Sequence, residues 1–238
     1  MKKKSNEWVT ISDLMAGVLA IVMLLLVLSV LQQIYAHAKH LEIQKKQEKE
    51  IVAIKYIIEE QKKQATEVLK KIERMFAERK LEDILHVDFE NFKIMLKEGL
   101  FMIGSACIKS EIKEALSLTN QYLNEYFMKN SIGLVQVEGH TDDRPVAQPV
   151  INYRKFCTVY DDNYTLSAAR AREAMLSIWS TPPAYQDRIV VAGFGSSRPI
   201  NAHLKNDPIQ RRVEITFTFP TVQDIQMIKP TQTQGDIQ

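Results

Sequence analysis

Between Gly17 and Gly99 the chain has neither glycine nor proline, and between Asp13 and Lys39 it has no Asp, Glu, Lys or Arg. The first absence excludes frequent turns over that stretch, because these two residues are the usual breakers of helices. The second excludes an ordinary water-facing surface for residues 14–34, a 21-residue apolar run relieved only by Gly17, Ser29, Gln32 and Gln33. Cysteine is scarce: Cys107 and Cys157 are too few for a disulfide framework and enough for a single bridge. A net charge of +2 provides no basic field of the kind that draws nucleic acid. Nothing in the sequence forms a nucleophile–base constellation, so an enzyme is not expected.

What is present begins with the apolar run itself. At about 1.5 Å per residue it spans roughly 30 Å, the hydrocarbon thickness of a bilayer. Lys2, Lys3 and Lys4 precede it and favour a cytoplasmic N-terminus, a modest bias because Lys39, Lys45 and Lys46 follow. The competing reading is a cleaved signal peptide, with Ala36-His37-Ala38 as the small-residue site. The run exceeds the roughly 7–15 residues of a signal core, and Glu7 and Asp13 do not suit its basic end. Either way the remainder, with both cysteines, lies outside the cytoplasm. There a bridge and two buried thiols both remain open.

Residues 39–80 are rich in Lys, Glu and Gln and continue the helix outward as a stalk. Ile51, Ile54, Ile58, Gln61, Ala65, Val68, Ile72 and Met75 recur at spacings of three and four. This coiled-coil-like heptad pattern predicts a dimeric stalk, and the alternative is one amphipathic helix packed on its own domain. From about Asp83 the pattern changes. Apolar runs at 92–96 and 100–103, separated by Lys97-Glu98-Gly99, predict a hairpin. Ile112, Leu116, Leu123 and Phe127 predict a helix over 111–130, and 163–180 a second, ended by Pro182-Pro183. Residues 132–137, 188–192 and 213–219 read as strands. The expected fold is α+β, in the order β-β-α-β-α-β, with helices on one face of a mixed sheet. The chain thus divides into a cytoplasmic tail 1–7, a transmembrane helix 8–35, a helical stalk 36–80, a folded domain 81–220 and a loose polar tail 221–238.

Asp13 stands at the edge of the span. Trp8, Val9 and Ile11 extend the apolar stretch upstream, so Trp8 marks the interface and Asp13 falls inside. A carboxylate there costs about 3 kcal/mol or more unless it is paired, neutralised or wetted, which makes it a candidate ion carrier. Ser12-Asp13 also fits an N-cap for a helix beginning at Leu14.

Trp8-Val9-Thr10-Ile11-Ser12-Asp13-Leu14-Met15 resembles the segment that opens the membrane helix of MotB and MotB-like proteins. In that family the aspartate binds the translocated H+ or Na+. The C-terminal half resembles the same proteins within the wider OmpA-like family. It does so through Val137-Glu138-Gly139-His140-Thr141-Asp142-Asp143-Arg144-Pro145 and Asn163-Tyr164-Thr165-Leu166-Ser167-Ala168-Ala169-Arg170-Ala171. Val191-Ala192-Gly193-Phe194-Gly195, Pro199-Ile200-Asn201 and Arg211-Arg212-Val213-Glu214-Ile215 follow in the family's order. The resemblance implies peptidoglycan binding. Stem peptides carry diaminopimelate, with an ammonium and a carboxylate that one Asp and one Arg can hold together. It assigns those roles to Asp142 and Arg170, with Thr141, Asn163 and Arg211 or Arg212 around them. The alternative is a purely structural Asp142–Arg170 ion pair. Two departures stand out: Gln210 replaces the usual Asn, and the loop 143–162, with Tyr153 and Cys157, is longer than usual. His140 has no second ligand at metal spacing, so no metal is expected and a structural hydrogen-bonding role is.

The resemblance further implies a homodimer inside a ring of MotA-like membrane subunits, with no cofactor beyond the translocated H+ or Na+. The short N-terminal tail and continuous stalk resemble ZorB, the MotB-like subunit of Zorya anti-phage defence systems, whose ring subunit is ZorA-like. A flagellar stator MotB and a passive OmpA- or Pal-type wall anchor are the alternatives. The expected location is the bacterial inner membrane, single-pass, with a periplasmic C-terminal domain.

Overall fold

The computed structural model describes residues 7–179 and 185–228. Lys2, Lys3 and Lys4, the Pro182-Pro183 pair and the far part of the expected tail, 229–238, lie outside the described residues. The chain divides into two compact units, 1–55 and 56–238. Helix α1 (Glu7–Glu78) belongs to both, as the absence of Gly and Pro after Gly17 allows. In the first unit every side chain from Ile11 to Lys49 is exposed. Its apolar segment is long enough to cross a membrane, and none of that segment is buried against protein. Apolar side chains all round a helix suit lipid, not water.

In the second unit the end of α1 is an integral core element. Ala65, Val68, Leu69, Ile72, Met75 and Phe76 join the same buried cluster as the sheet. This corrects the expectation of a separate stalk to residue 80: over these turns the heptad face is filled within one chain. Gln61, the polar interruption in that heptad, donates to the Ile132 carbonyl at 2.9 Å, and Asn130 donates to Gln64 Oε1 at 2.8 Å. The helix closes with Leu81 N–H bonded to Phe76 O and Lys80 at φ 57°. That is a Schellman-type end in which lysine takes the position glycine usually fills.

A five-stranded sheet follows. Strands β1 (Leu85–Asp88) and β2 (Lys93–Lys97) form a hairpin. After α2 (Ser110–Lys129) comes β3 (Leu134–His140); after α3 (Tyr153–Phe156) and α4 (Asn163–Ile178) come β4 (Ile189–Gly193), β5 (Arg212–Thr218) and a short α5 (Val222–Ile228). The strand order is β1-β2-β5-β3-β4, antiparallel except for β3–β4. The order extends the expected pattern by one strand, and α5 occupies part of the expected tail. The hairpin is displaced from 92–96/100–103 because Asp88 Oδ1 accepts from both Glu90 N and Asn91 N and closes an earlier turn. Lys97-Glu98-Gly99 instead enters a single 3₁₀ turn, Glu98–Leu100.

Alternation along β5 sends Val213, Ile215 and Phe217 into the core with Val135 and Val137 of β3. Ile112, Leu116, Leu123 and Phe127 of α2 and Ala171, Ala174 and Ile178 of α4 cover them. Helix α4 lies at backbone contact with the sheet. A Cβ on Gly139 would fall 1.9 Å from Ser167 O, and one on Gly193 would fall 2.4 Å from Ala168 N. The glycines of the two motifs therefore serve close packing, which fixes the start of α4 beside the ends of β3 and β4.

Candidate functional site

Thr141 and Asp142 leave the end of β3, and Arg170 lies on α4. Asp162 starts α4 by accepting from Thr165 N at 2.6 Å, an N-cap that sets the helix in place. Thr141 N donates to Gly195 O at 2.9 Å and Asp143 N to Lys205 O at 3.0 Å, so the backbone around Asp142 is held on both sides. Asn163 Nδ2 donates to the carbonyls of Asp142 and Arg144 at 3.2 and 2.8 Å. Asn163 is thus a brace for the loop.

The register of β5 puts Arg212 opposite both Lys97 of β2 and His140 of β3. The residues one step beyond, Arg211, Glu98 and Thr141, therefore converge. Arg211 Nη1 donates to Asp142 Oδ2, and Arg211 Nη2 donates to Glu98 Oε2. Both bonds stabilise the Arg211 charge, Glu98 foremost, and hold its pKa above the usual guanidinium range. The direct partner of Asp142 is thus Arg211; among the described residues no Asp142–Arg170 ion pair exists. The reading of those two as a mutual structural pair does not hold.

Arg170 is 3% exposed. Its Nε donates to Ser105 O at 3.1 Å, and its guanidinium lies 5.0 Å from the centroid of the Phe101 ring. Neither Nη1 nor Nη2 has a hydrogen-bond partner among the described residues. Burial lowers its pKa, while Glu98, Tyr160 and Asp142 are the charges that oppose the shift. Thr141 Oγ1 and Arg211 Nε are buried atoms without a partner among the described residues. The site offers two guanidiniums, one inner and one outer carboxylate, and unsatisfied donors, so charges of both signs stand side by side.

Ser105 is itself held by the long loop. Its Oγ and Ala106 N both donate to Phe156 O, at 2.9 and 3.0 Å, and Tyr160 Oη donates to Gly104 O at 2.7 Å. Cys107 and Cys157 are bonded beside these contacts, with Cα atoms 5.0 Å apart. The loop 143–162 thus supports the arginine pocket through Ser105. Glu98, Phe101, Ser105 and Tyr160 carry no signal for this site in the sequence, because Lys97-Glu98-Gly99 reads as a turn and the others belong to no motif.

Arg212 is placed elsewhere. It bonds Glu214 Oε1 at 2.6 Å and the carbonyls of Gln210 and Arg198, each at 3.1 Å, on the opposite face of β5. That alternation removes it from the pocket and leaves Arg211. On the same face His140 is 1% exposed and stacks on Phe194. Its ring nitrogens have no hydrogen-bond partner among the described residues, contrary to the role expected for it. Strand pairing, invisible in sequence spacing, sets its Nε2 4.0 Å from both Glu138 and Glu214. Lys93 and Arg212 already bind Glu214, and Arg198 faces Glu138 at 3.7 Å, so these carboxylates are matched by three cations and ill suited to another. Burial first, then Arg212, pushes the His140 pKa down to about 4.

In the first unit, α1 begins at Glu7, so Asp13 lies inside the helix rather than at its cap, with its side chain exposed. The capping alternative requires a helix starting at Leu14 and is excluded.

Residues 100–212 match the OmpA family. An uncharacterized protein, YtxE of Bacillus subtilis, is 28% identical over 165 residues, which are 66% of this chain; the chain spans 61% of that relative's length. Among solved structures, a MotB-like protein from Desulfovibrio vulgaris has a TM-score of 0.49 at 20% identity, covering 71% of this chain and 99% of the other. The cell wall anchor of the T6SS from Pseudomonas aeruginosa has a TM-score of 0.43 at 24% identity, covering 63% and 97%. The residues matched to the OmpA family run from the end of the 3₁₀ turn to the start of β5; the end of α1 and the β1–β2 hairpin precede them and share their buried core.

Proposed function

We propose that the chain is the wall-anchored, ion-carrying B subunit of a MotA/MotB-type motor in the bacterial inner membrane. The observation that supports the anchor is Arg170, 3% exposed as a residue, whose guanidinium meets no carboxylate and makes no Nη hydrogen bond among the described residues. A buried cation in that state favours an incoming anion strongly. Asp142, held by Arg211 on one oxygen, keeps its other oxygen for an ammonium. Diaminopimelate of a peptidoglycan stem presents both groups on one side chain, and its carboxylate can be shared between Arg170 and the Arg211 Nη2 that Glu98 otherwise occupies.

Asp13 supports the motor half of the reading. It is the one acid within the apolar part of α1, and binding H+ or Na+ would neutralise it and lower its cost in lipid. A MotA-like ring around two copies of α1 could then step past a neutralised Asp13 while the wall-bound domains hold the dimer still. Of the processes such a motor could serve, we favour Zorya-like anti-phage defence with a ZorA-like ring. The continuous helix after the span supports it, and the assignment rests on analogy.

The test of the anchor is cosedimentation of the detergent-solubilised chain with purified sacculi. Arg170→Ala and Asp142→Ala should each lower the bound fraction at least tenfold, since each leaves a charge unpaired. Binding equal to wild type in both would reject the pocket.

A further inference from the structure

Arg211 already holds two carboxylates, and they are not equivalent. Asp142 is the inner one, its side chain 8% exposed and its backbone fixed through Thr141, Asp143 and Asn163. Glu98 is the outer one, 35% exposed. It begins a single 3₁₀ turn that has no side-chain cap. Displacing Asp142 would break the loop that carries it; displacing Glu98 requires only a side-chain rotation into solvent. Glu98 is also a charged neighbour of Arg170. At 35% its side chain is more open to solvent than that of Arg211, and Arg170 is more buried still.

We propose that Glu98 is a built-in competitor for the carboxylate of the ligand, occupying Arg211 until a bound carboxylate displaces it. The inference rests on the wall-binding reading of the same pocket. Glu98 sets selectivity by raising the threshold for every ligand that needs Arg211. A ligand whose side-chain carboxylate has been converted to an amide does not need Arg211 and leaves Glu98 in place. The residue therefore distinguishes two wall chemistries that share the same ammonium.

The experiment is calorimetric titration of the full chain in detergent with two synthetic peptides, L-Ala-γ-D-Glu-meso-diaminopimelate and its side-chain amide. Glu98→Gln should tighten binding of the acid peptide about fivefold, the scale of one partly exposed ion pair, and leave the amide within twofold. Glu98→Ala should act in the same direction, which separates lost charge from any property of glutamine. If wild type binds the acid peptide and neither variant binds it more tightly, or if both peptides gain equally, the competitor role is overturned while the wall-binding reading stands. If no protein binds the acid peptide, that reading falls and this inference with it. Binding that appears only in the variants would support Glu98 as a competitor most strongly.

Discussion

Reducing the Cys107–Cys157 bond should destabilise the C-terminal domain through its denatured state. The bridged residues are separated by 50 positions. The chain-entropy relation for a loop of that length gives about 4 kcal/mol at 25 °C. The native side should change less. Ser105, Ala106 and Tyr160 keep their contacts across the two loops without the sulfur bond. Trp179, 2% exposed in the core, reports the transition by fluorescence, whereas Trp8 is 78% exposed in the first unit. With a urea dependence of about 2 kcal/mol per molar, the midpoint of the full chain in detergent should fall by about 2 M on reduction or in the Cys107→Ser/Cys157→Ser variant. Below the new midpoint, sacculus binding should persist. A midpoint that moves by less than about 0.5 M would refute the loop-entropy reasoning.

Three further outcomes follow from local geometry. His140 has a folded pKa of about 4 against 6.5 unfolded, so the unfolded chain binds the extra proton between these values; stability is full above about pH 6.5 and falls by about 3 kcal/mol as pH drops to 4. Urea midpoints across that range should show the slope, and His140→Asn should flatten it. Lys80→Gly should raise stability by about 0.5–1 kcal/mol in the same assay, because φ 57° suits glycine and strains lysine. Asp13→Asn keeps the side chain's size and removes its titration, so the assembled complex should survive while ion flux into vesicles disappears; normal flux would exclude Asp13 as the carrier.

The sequence made some elements plain and hid others for identifiable reasons. Helices α2 and α4 and strands β3, β4 and β5 were legible because their apolar residues repeat over enough positions. Strand β1 was not, since Leu85-His86-Val87-Asp88 is too short to show a period, and missing it shifted the hairpin. The heptad was visible but not its partner: Ala65 and Ile72 look the same in sequence whether they meet a second helix or a sheet. At the site, Asp142, Arg170 and Asn163 were legible through their motifs, while Glu98 and Ser105 depend on strand register and a loop crossing. The split of Arg211 from Arg212 also follows from alternation along β5, which sends adjacent residues to opposite faces.

The central claim is that the pocket of Asp142, Arg170 and Arg211 recognises an ammonium and a carboxylate on one side chain. The most direct measurement is competitive release: the full chain is bound to sacculi and challenged with L-Ala-γ-D-Glu-meso-diaminopimelate or with the same peptide ending in L-lysine, whose side chain keeps the ammonium and lacks the carboxylate. The account predicts that the meso-diaminopimelate peptide releases the protein at a concentration at least tenfold below that of the lysine peptide, and that Arg170→Ala abolishes the difference. Equal release by the two peptides, or release by neither while the protein remains wall-bound, would contradict it.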